Sequence, residues 1–128
     1  MVEAGNSSAD DPRLLFVFRH APYGSASARE ALEAVLAAGV HGLDPDVLFL
    51  DDGVWQLLAG QDGRPLGAKT HCAMLGALPI YGVERLYVDT ASLTVRGVVP
   101  ATLIPAVTYL DAEEVKALLA DSRKILNF

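Results

Sequence analysis

Residues 14–18 read LLFVF, and the turn APYG at residues 21–24 leads from them into SASAREALEAVLAA at residues 25–38. A short, continuous apolar run is typical of a strand that is buried on both faces of a sheet. The segment after the turn carries apolar side chains at helical spacing, with Ser25 as its expected N-cap and Gly39 as its expected end. The stretch therefore predicts a buried strand followed by a helix.

The same alternation of apolar strand and helix continues along the chain. Asp111 is expected to cap the last helix, and Pro105 points to an edge strand or to the start of a strand. This pattern predicts an α/β fold, a flavodoxin-like domain whose five-stranded, mostly parallel sheet is covered by helices on both faces, with strand order 2-1-3-4-5. Further strands are predicted at residues 46–50, 85–88, 104–110 and 124–128, helices at residues 54–58, 70–78, 91–95 and 112–120, and a loop at residues 61–67.

Length and composition set the limits on domain count and on the class of partner. The 128 residues are expected to form one domain at residues 13–128, preceded by a disordered polar tail at residues 1–12. Hydrophobic residues make up 52% of the chain, which is more than one small core needs and suggests contacts with other subunits. The net charge of −6 lacks the basic footprint of a nucleic-acid binder.

The compartment expected from the sequence is the cytoplasm. A single cysteine, Cys72, excludes an internal disulfide framework and fits a reducing environment. The first residues have neither the basic start nor the apolar run of a signal peptide, and no stretch approaches the roughly 18 apolar residues of a membrane span.

Most side chains that could carry chemistry have an ordinary structural explanation. The turn from Tyr23 to Ser25 could cradle a phosphate, but no nucleotide-binding glycine motif is present, and a turn with a serine cap is the simpler interpretation. Asp51 or Asp52 is expected to cap the helix at residues 54–58. The three histidines lack the spacing of metal ligands, so the sequence predicts neither a metal nor a cofactor.

Cys72 is the one residue with latent nucleophilic chemistry. If Thr70 caps its helix, Cys72 lies in the first turn, where the helix dipole stabilises a thiolate and where Lys69 and His71 are close in sequence. Such a thiolate could attack a sulfur donor and hold a persulfide. The alternative is a buried cysteine that packs as a small apolar side chain.

The most specific block of the sequence is FLDDGVWQLL, followed shortly by the pair GQ, and APYG and AREAL come earlier in the chain. These blocks resemble the DsrE/DsrF/DsrH sulfur-relay family, and in particular its DsrF/TusC branch. The segments ASL and RG and the ending ILNF add to the resemblance, which runs from about Arg13 to the last residue. The blocks are APYG at residues 21–24, AREAL at 28–32, FLDDGVWQLL at 49–58, GQ at 60–61, ASL at 91–93, RG at 96–97 and ILNF at 125–128.

The resemblance implies a particular role for this chain. It implies a cytoplasmic complex of three related subunits, two copies of each, that relays persulfide sulfur toward tRNA wobble-uridine 2-thiolation or serves intracellular sulfur oxidation. The active cysteine belongs to the DsrE/TusD-like sibling, and the DsrF/TusC branch generally lacks one. The chain is therefore expected to be a structural, non-catalytic subunit. Its partners would be DsrE/TusD-like and DsrH/TusB-like siblings and a downstream sulfur-acceptor protein.

Two other hypotheses stay open at this point. Cys72 departs from the pattern of the branch, so the chain could be a persulfide-carrying sulfurtransferase subunit, or it could be a flavodoxin-like small-molecule binder at the first turn. If the chain is a structural subunit, aromatic side chains are the expected interface anchors, although Trp55 could equally pack in the core. These interface candidates are Tyr23, Trp55, Tyr81 and Phe128.

Overall fold

The computed structural model describes residues 13–59, 66–104 and 106–128. The expected tail at residues 1–12, most of the expected loop at residues 61–67, and Pro105 lie outside the described residues. The strands are β1 Leu14–Phe18, β2 Asp46–Phe49, β3 Arg85–Asp89, β4 Val107–Leu110 and β5 Lys124–Asn127, and the α-helices are α1 Ser27–Val40, α2 Leu66–Gly76, α3 Thr90–Arg96 and α4 Ala112–Asp121. Short 3₁₀ helices span Asp51–Leu57, Leu78–Tyr81 and Pro100–Thr102.

The five strands form one sheet in the order β4-β3-β2-β1-β5, and each neighbouring pair is parallel. The α/β class and the five-stranded sheet are confirmed, but the expected order 2-1-3-4-5 is wrong. That order would put β2 at an edge, whereas β2 is the central strand and all four of its residues are buried. The apolar run of β2 shows only that the strand is buried, not which strands flank it.

The strand order explains why helices cover both faces. From β1 to β4, each strand lies beside the preceding one, always on the same side of it. Because crossovers are right-handed, the three connections between these strands lie on one face of the sheet, where they cover the larger apolar cluster. The step from β4 to β5 runs back across the sheet, and α4 therefore covers the opposite face, where Val115 packs in a smaller cluster with Leu15 and Leu48. Among the described residues, no helix is long and apolar enough to cross a bilayer.

A buried carboxylate joins the amino ends of the three central strands. Asp46 at the start of β2 is only 1% exposed. It accepts a hydrogen bond from Arg13 beside β1 at 3.1 Å and another from Arg85 at the start of β3. Both partners are cationic, so the carboxylate is compensated, as a buried charge requires.

Helix α1 begins and ends differently from the expectation. Its N-cap is Ala26, without a side-chain cap, and Ser25 Oγ instead accepts a hydrogen bond from the backbone N–H of Ser27 at 3.3 Å. Gly39 does not end the helix, which continues to Val40. Glycine is needed at position 39 for another reason, because an added Cβ would lie 2.5 Å from the Tyr81 carbonyl oxygen.

The last strand is docked in the sheet, as its apolar side chains suggest. β5 pairs with β1, and beyond the strand the N–H of Phe128 donates to the Val17 carbonyl at 2.9 Å while its carbonyl accepts from Arg19 N–H at 2.8 Å. The Phe128 ring stacks on Phe16 and meets Phe18 edge-on, with centroid distances of 6.1 and 6.5 Å. Asp111 caps α4 as expected, in a capping box with Glu114.

Candidate functional site

The carboxyl ends of β1, β2 and β3 are joined by a polar network. Arg19 donates to Asp51 from two guanidinium nitrogens, at 2.8 and 3.1 Å. The Asp51 N–H donates to Ser92 Oγ at 2.9 Å, and that hydroxyl donates in turn to the Asp89 carboxylate at 2.7 Å. Ligands of parallel sheets commonly bind at this edge. Here, however, the polar groups bind one another.

Asp51 and Asp52 do not cap a helix, contrary to the expectation. The 3₁₀ helix Asp51–Leu57 has Leu50 as its N-cap, without a side-chain cap. Asp52 accepts a hydrogen bond from Arg96 of α3 at 2.9 Å, as Asp51 does from Arg19. Because both carboxylates are paired with arginine, this acidic pair is a structural tie between elements and not an open acidic cluster.

Cys72 does not lie in the first turn of its helix. α2 begins at Leu66, so Thr70 is inside the helix, and Cys72 is its seventh residue. The side chain is half-buried, and Sγ donates a hydrogen bond to the Leu58 carbonyl oxygen at 3.1 Å. Burial raises the pKa of the Cys72 thiol. This environment stabilises the neutral thiol, which is the opposite of what a nucleophilic cysteine requires.

Cys72 should therefore react slowly with iodoacetamide near neutral pH. Because the pKa is raised, the thiolate forms only at a more alkaline pH than for an ordinary cysteine, and the rate should keep rising there. Near neutrality we expect alkylation at least about tenfold slower than for the same chain unfolded in guanidinium chloride. The rate is followed by intact mass. Equal rates in the folded and unfolded chains would contradict this picture of the thiol.

The sequence did not indicate that His71 is buried and hydrogen-bonded to another buried side chain. His71 is 8% exposed, and its Nε2 lies 2.7 Å from Gln56 Oε1. Gln56 is itself buried, and its Nε2 donates to the His20 carbonyl oxygen at 2.7 Å. The only signal in the sequence was an amide in the apolar run VWQLL, since a buried amide needs hydrogen-bond partners.

The first turn opens onto a pocket of about 280 Å³. The pocket lies between the start of α1 and α2, and the described residues that line it are Pro22, Ser25, Ala26, Arg29 and His71. The turn therefore does more than connect β1 to α1. Among the described residues, no three side chains of His, Cys, Asp or Glu come together as a metal site would require.

The four aromatic interface candidates fall into two groups. Tyr23 and Tyr81 are 45% and 41% exposed, so their rings are accessible to a partner. Trp55 and Phe128 are partly buried and pack against the chain's own larger cluster. A partner contact for any of the four remains a prediction.

Fold and site together define a small parallel α/β domain whose strand-end acids are paired and whose cysteine is held as a thiol. The chain belongs to the DsrE/DsrF-like family, because the model of that family matches residues 13–128. The similarity thus spans the whole described fold.

Named relatives narrow the assignment to the DsrF/TusC branch. A TusC homolog from Vibrio parahaemolyticus is 39% identical over 116 residues, which cover 91% of this chain and 98% of the relative. A TusC homolog from Pseudomonas aeruginosa is 44% identical over 106 residues, covering 83% and 89%. TusC of Escherichia coli O8 is 39% identical over 117 residues, covering 91% and 98%.

A solved structure supports the fold. The crystal structure of the ychN protein from E. coli aligns with a TM-score of 0.75 at 25% sequence identity. The alignment covers 91% of this chain and 99% of the ychN chain. This chain therefore has the same α/β fold as the ychN protein.

Proposed function

We propose that this chain is a non-catalytic subunit of a cytoplasmic, heteromeric sulfur-transfer complex. Its partners would be a DsrE/TusD-like sibling that carries the persulfide and a DsrH/TusB-like sibling, with two copies of each subunit. The relatives named TusC favour tRNA wobble-uridine 2-thiolation as the purpose of the relay over intracellular sulfur oxidation. A further protein would accept the sulfur, since the acidic chain is poorly suited to hold tRNA itself.

The state of Cys72 is the observation that carries this proposal. A persulfide carrier needs a thiolate that is accessible and stabilised by positive charge. The Cys72 thiol instead donates to the Leu58 carbonyl oxygen, and its burial raises its pKa. Within the described part of the chain, no structural feature favours the alternative hypothesis in which Cys72 carries the persulfide.

An apolar corner supports a role in assembly. We use this name for Val40, Leu43, Ile80 and Tyr81. α1 approaches the 3₁₀ helix Leu78–Tyr81 closely at Gly39, so these four side chains belong to adjoining segments. All four are exposed, and Ile80 is 82% exposed. Large apolar side chains grouped on a surface mark a site of protein contact.

A charge placed in the apolar corner should prevent assembly. Ile80→Asp removes an apolar side chain and would bury a carboxylate against the sibling, so affinity should fall by at least about a hundredfold. Light scattering coupled to size-exclusion chromatography, with the siblings co-expressed, measures the assembled mass. Val95→Asp is the matched control, because Val95 is 80% exposed and lies on α3.

Two outcomes of this experiment would count against the proposal. If the unmutated chain stays monomeric with both siblings present, it is not a subunit of such a complex. If Ile80→Asp assembles as well as Val95→Asp, the apolar corner is not the contact. Far-ultraviolet circular dichroism of both variants shows whether each is folded.

A further inference from the structure

The pocket beside the first turn is separate from the polar network at the strand ends. The described residues that line the pocket do not include the two ion pairs of that network, Arg19 with Asp51 and Arg96 with Asp52. With about 280 Å³ it is slightly smaller than the usual range of ligand sites, which begins near 300 Å³. It is therefore small for a nucleotide but has room for a small anion.

His71 lines this pocket, and one of its ring nitrogens has no partner among the described residues. The Gln56 amide donates its N–H to the His20 carbonyl oxygen, so its oxygen must accept from His71 Nε2–H. This fixes the tautomer and leaves Nδ1 as an acceptor. Among the described residues Nδ1 has no hydrogen-bond partner, although His71 is 92% buried. Buried polar atoms rarely lack a partner, so an unpaired acceptor in a pocket wall points to a ligand.

Arg29 lines the same pocket, and no described carboxylate compensates its positive charge. No carboxylate pairs with it among the described residues, whereas Arg13, Arg19, Arg85 and Arg96 all have one. The guanidinium charge reaches the imidazole, because Arg29 adds to the effect of burial in lowering the pKa of His71. The ring is therefore neutral at physiological pH.

The start of α1 adds backbone donors. α3 and α4 are capped by the side chains of Asp89 and Asp111, but the N-cap of α1, Ala26, provides no side-chain acceptor. The first-turn N–H groups of Ala28 and Arg29 have no hydrogen-bond acceptor among the described residues. Free N–H groups at the start of a helix attract anions, and α1 is 14 residues long.

We propose that this pocket binds a small oxyanion that carries a proton on one oxygen, such as hydrogenphosphate or hydrogensulfite. Arg29 and the first-turn N–H groups of α1 bind the charged oxygens. His71 Nδ1 accepts a hydrogen bond from the protonated oxygen, and Gln56 holds the imidazole in the tautomer that permits this. An oxyanion without a proton, such as sulfate, would leave Nδ1 unpaired and bind more weakly. This site does not depend on the proposed sulfur-transfer role.

The test is a titration of the full chain, followed through its backbone amide NMR signals. The probes are inorganic phosphate, hydrogensulfite and sulfate at constant ionic strength, with chloride as the balancing anion. We expect saturable shifts at Ala28 and Arg29 with phosphate or hydrogensulfite, and affinity at least about tenfold lower for sulfate because one hydrogen bond to an ionised ligand is missing. Comparison of the first two probes shows whether the natural ligand is a phosphorus or a sulfur oxyanion.

Variants distinguish the site from general attraction of anions. Arg29→Gln should weaken phosphate binding about tenfold, whereas Arg123→Gln, with the same charge change outside the pocket lining, should leave it within about twofold. His71→Gln keeps an amide donor for Gln56 but removes the pocket nitrogen. It should abolish the preference for phosphate over sulfate, which a merely structural role of His71 would not do.

The proposal is overturned by any of three results. The first is the absence of saturable shifts with both phosphate and hydrogensulfite. The second is equal loss of affinity in Arg29→Gln and Arg123→Gln. The third is equal affinity of the unmutated chain for phosphate and sulfate.

Discussion

Gly53→Ala should destabilise the chain by roughly 4 kcal/mol or more, which is beyond the usual range for a single substitution. Gly53 lies in the 3₁₀ helix Asp51–Leu57, and a Cβ at this position would be 1.8 Å from the carbonyl oxygen of Phe18. That oxygen already accepts the N–H of Leu50 at 3.0 Å, so it belongs to the backbone junction between β1 and β2. Neither backbone segment can move away without breaking the sheet.

Urea unfolding compares this variant with a matched control. Gly76→Ala makes the same change at the end of α2, where an added Cβ would meet nothing within 4 Å. It should be neutral or gain up to about 1 kcal/mol, because alanine favours the helix more than glycine does. If Gly53→Ala unfolds at the same urea concentration as the unmutated chain, the close approach at β1 is wrong.

Deleting residues 126–128 should be the second most damaging change, with a loss of about 3 kcal/mol or more. The deletion removes the two main-chain hydrogen bonds of Phe128 to β1 and its ring contacts with Phe16 and Phe18. It also removes Leu126, which packs against the larger apolar cluster. The carboxyl half of β1, from Phe16 onward, would then lack its partner strand on this edge.

Point substitutions separate the ring from the strand. Phe128→Ala should cost about 2 kcal/mol, since its side chain is only partly buried, and should lower the melting temperature by about 8 °C. Ile125→Ala is the control in the same strand, because Ile125 is 38% exposed and should cost less than about 1 kcal/mol. Melting of the deletion variant at the temperature of the unmutated chain would show that β5 does not stabilise the fold.

Local chemistry made part of the fold predictable. The apolar runs of β1 and β2 located those strands, and Asp111 marked the start of α4, because an N-cap side chain binds a backbone N–H only a few positions further along the chain. The strand order was not predictable in this way. It depends on which crossover each connection makes, and β1 carries no local signal for its neighbour β5.

The errors at glycine and threonine have a common physical cause. Glycine commonly ends a helix and threonine commonly begins one, but neither residue does so here. Gly39 lies inside α1, which continues to Val40, and Thr70 lies inside α2, which begins at Leu66. Gly39 is required by the close approach of the Tyr81 carbonyl oxygen, which is distant in sequence. Cys72 was misplaced together with Thr70, so the expected thiolate was wrong.

The site beside the first turn was only partly visible in the sequence. Tyr23, Gly24 and Ser25 marked a turn that could receive an anion. The role of His71 was hidden, because it depends on Gln56, which is 15 residues away in the chain but 2.7 Å away in space. Arg29 was not recognised as a site residue, since a single sequence does not show which arginines lack a carboxylate partner.

The central claim is that this chain supports sulfur transfer without carrying the sulfur. Its most direct test is to load the assembled complex with a persulfide donor and to map the added sulfur by mass spectrometry of each subunit under non-reducing conditions. We predict a mass increase of one sulfur atom on a sibling, none on this chain, and unchanged transfer in the complex that contains Cys72→Ser. A sulfur adduct on Cys72, together with loss of transfer in Cys72→Ser while assembly persists, would contradict the account.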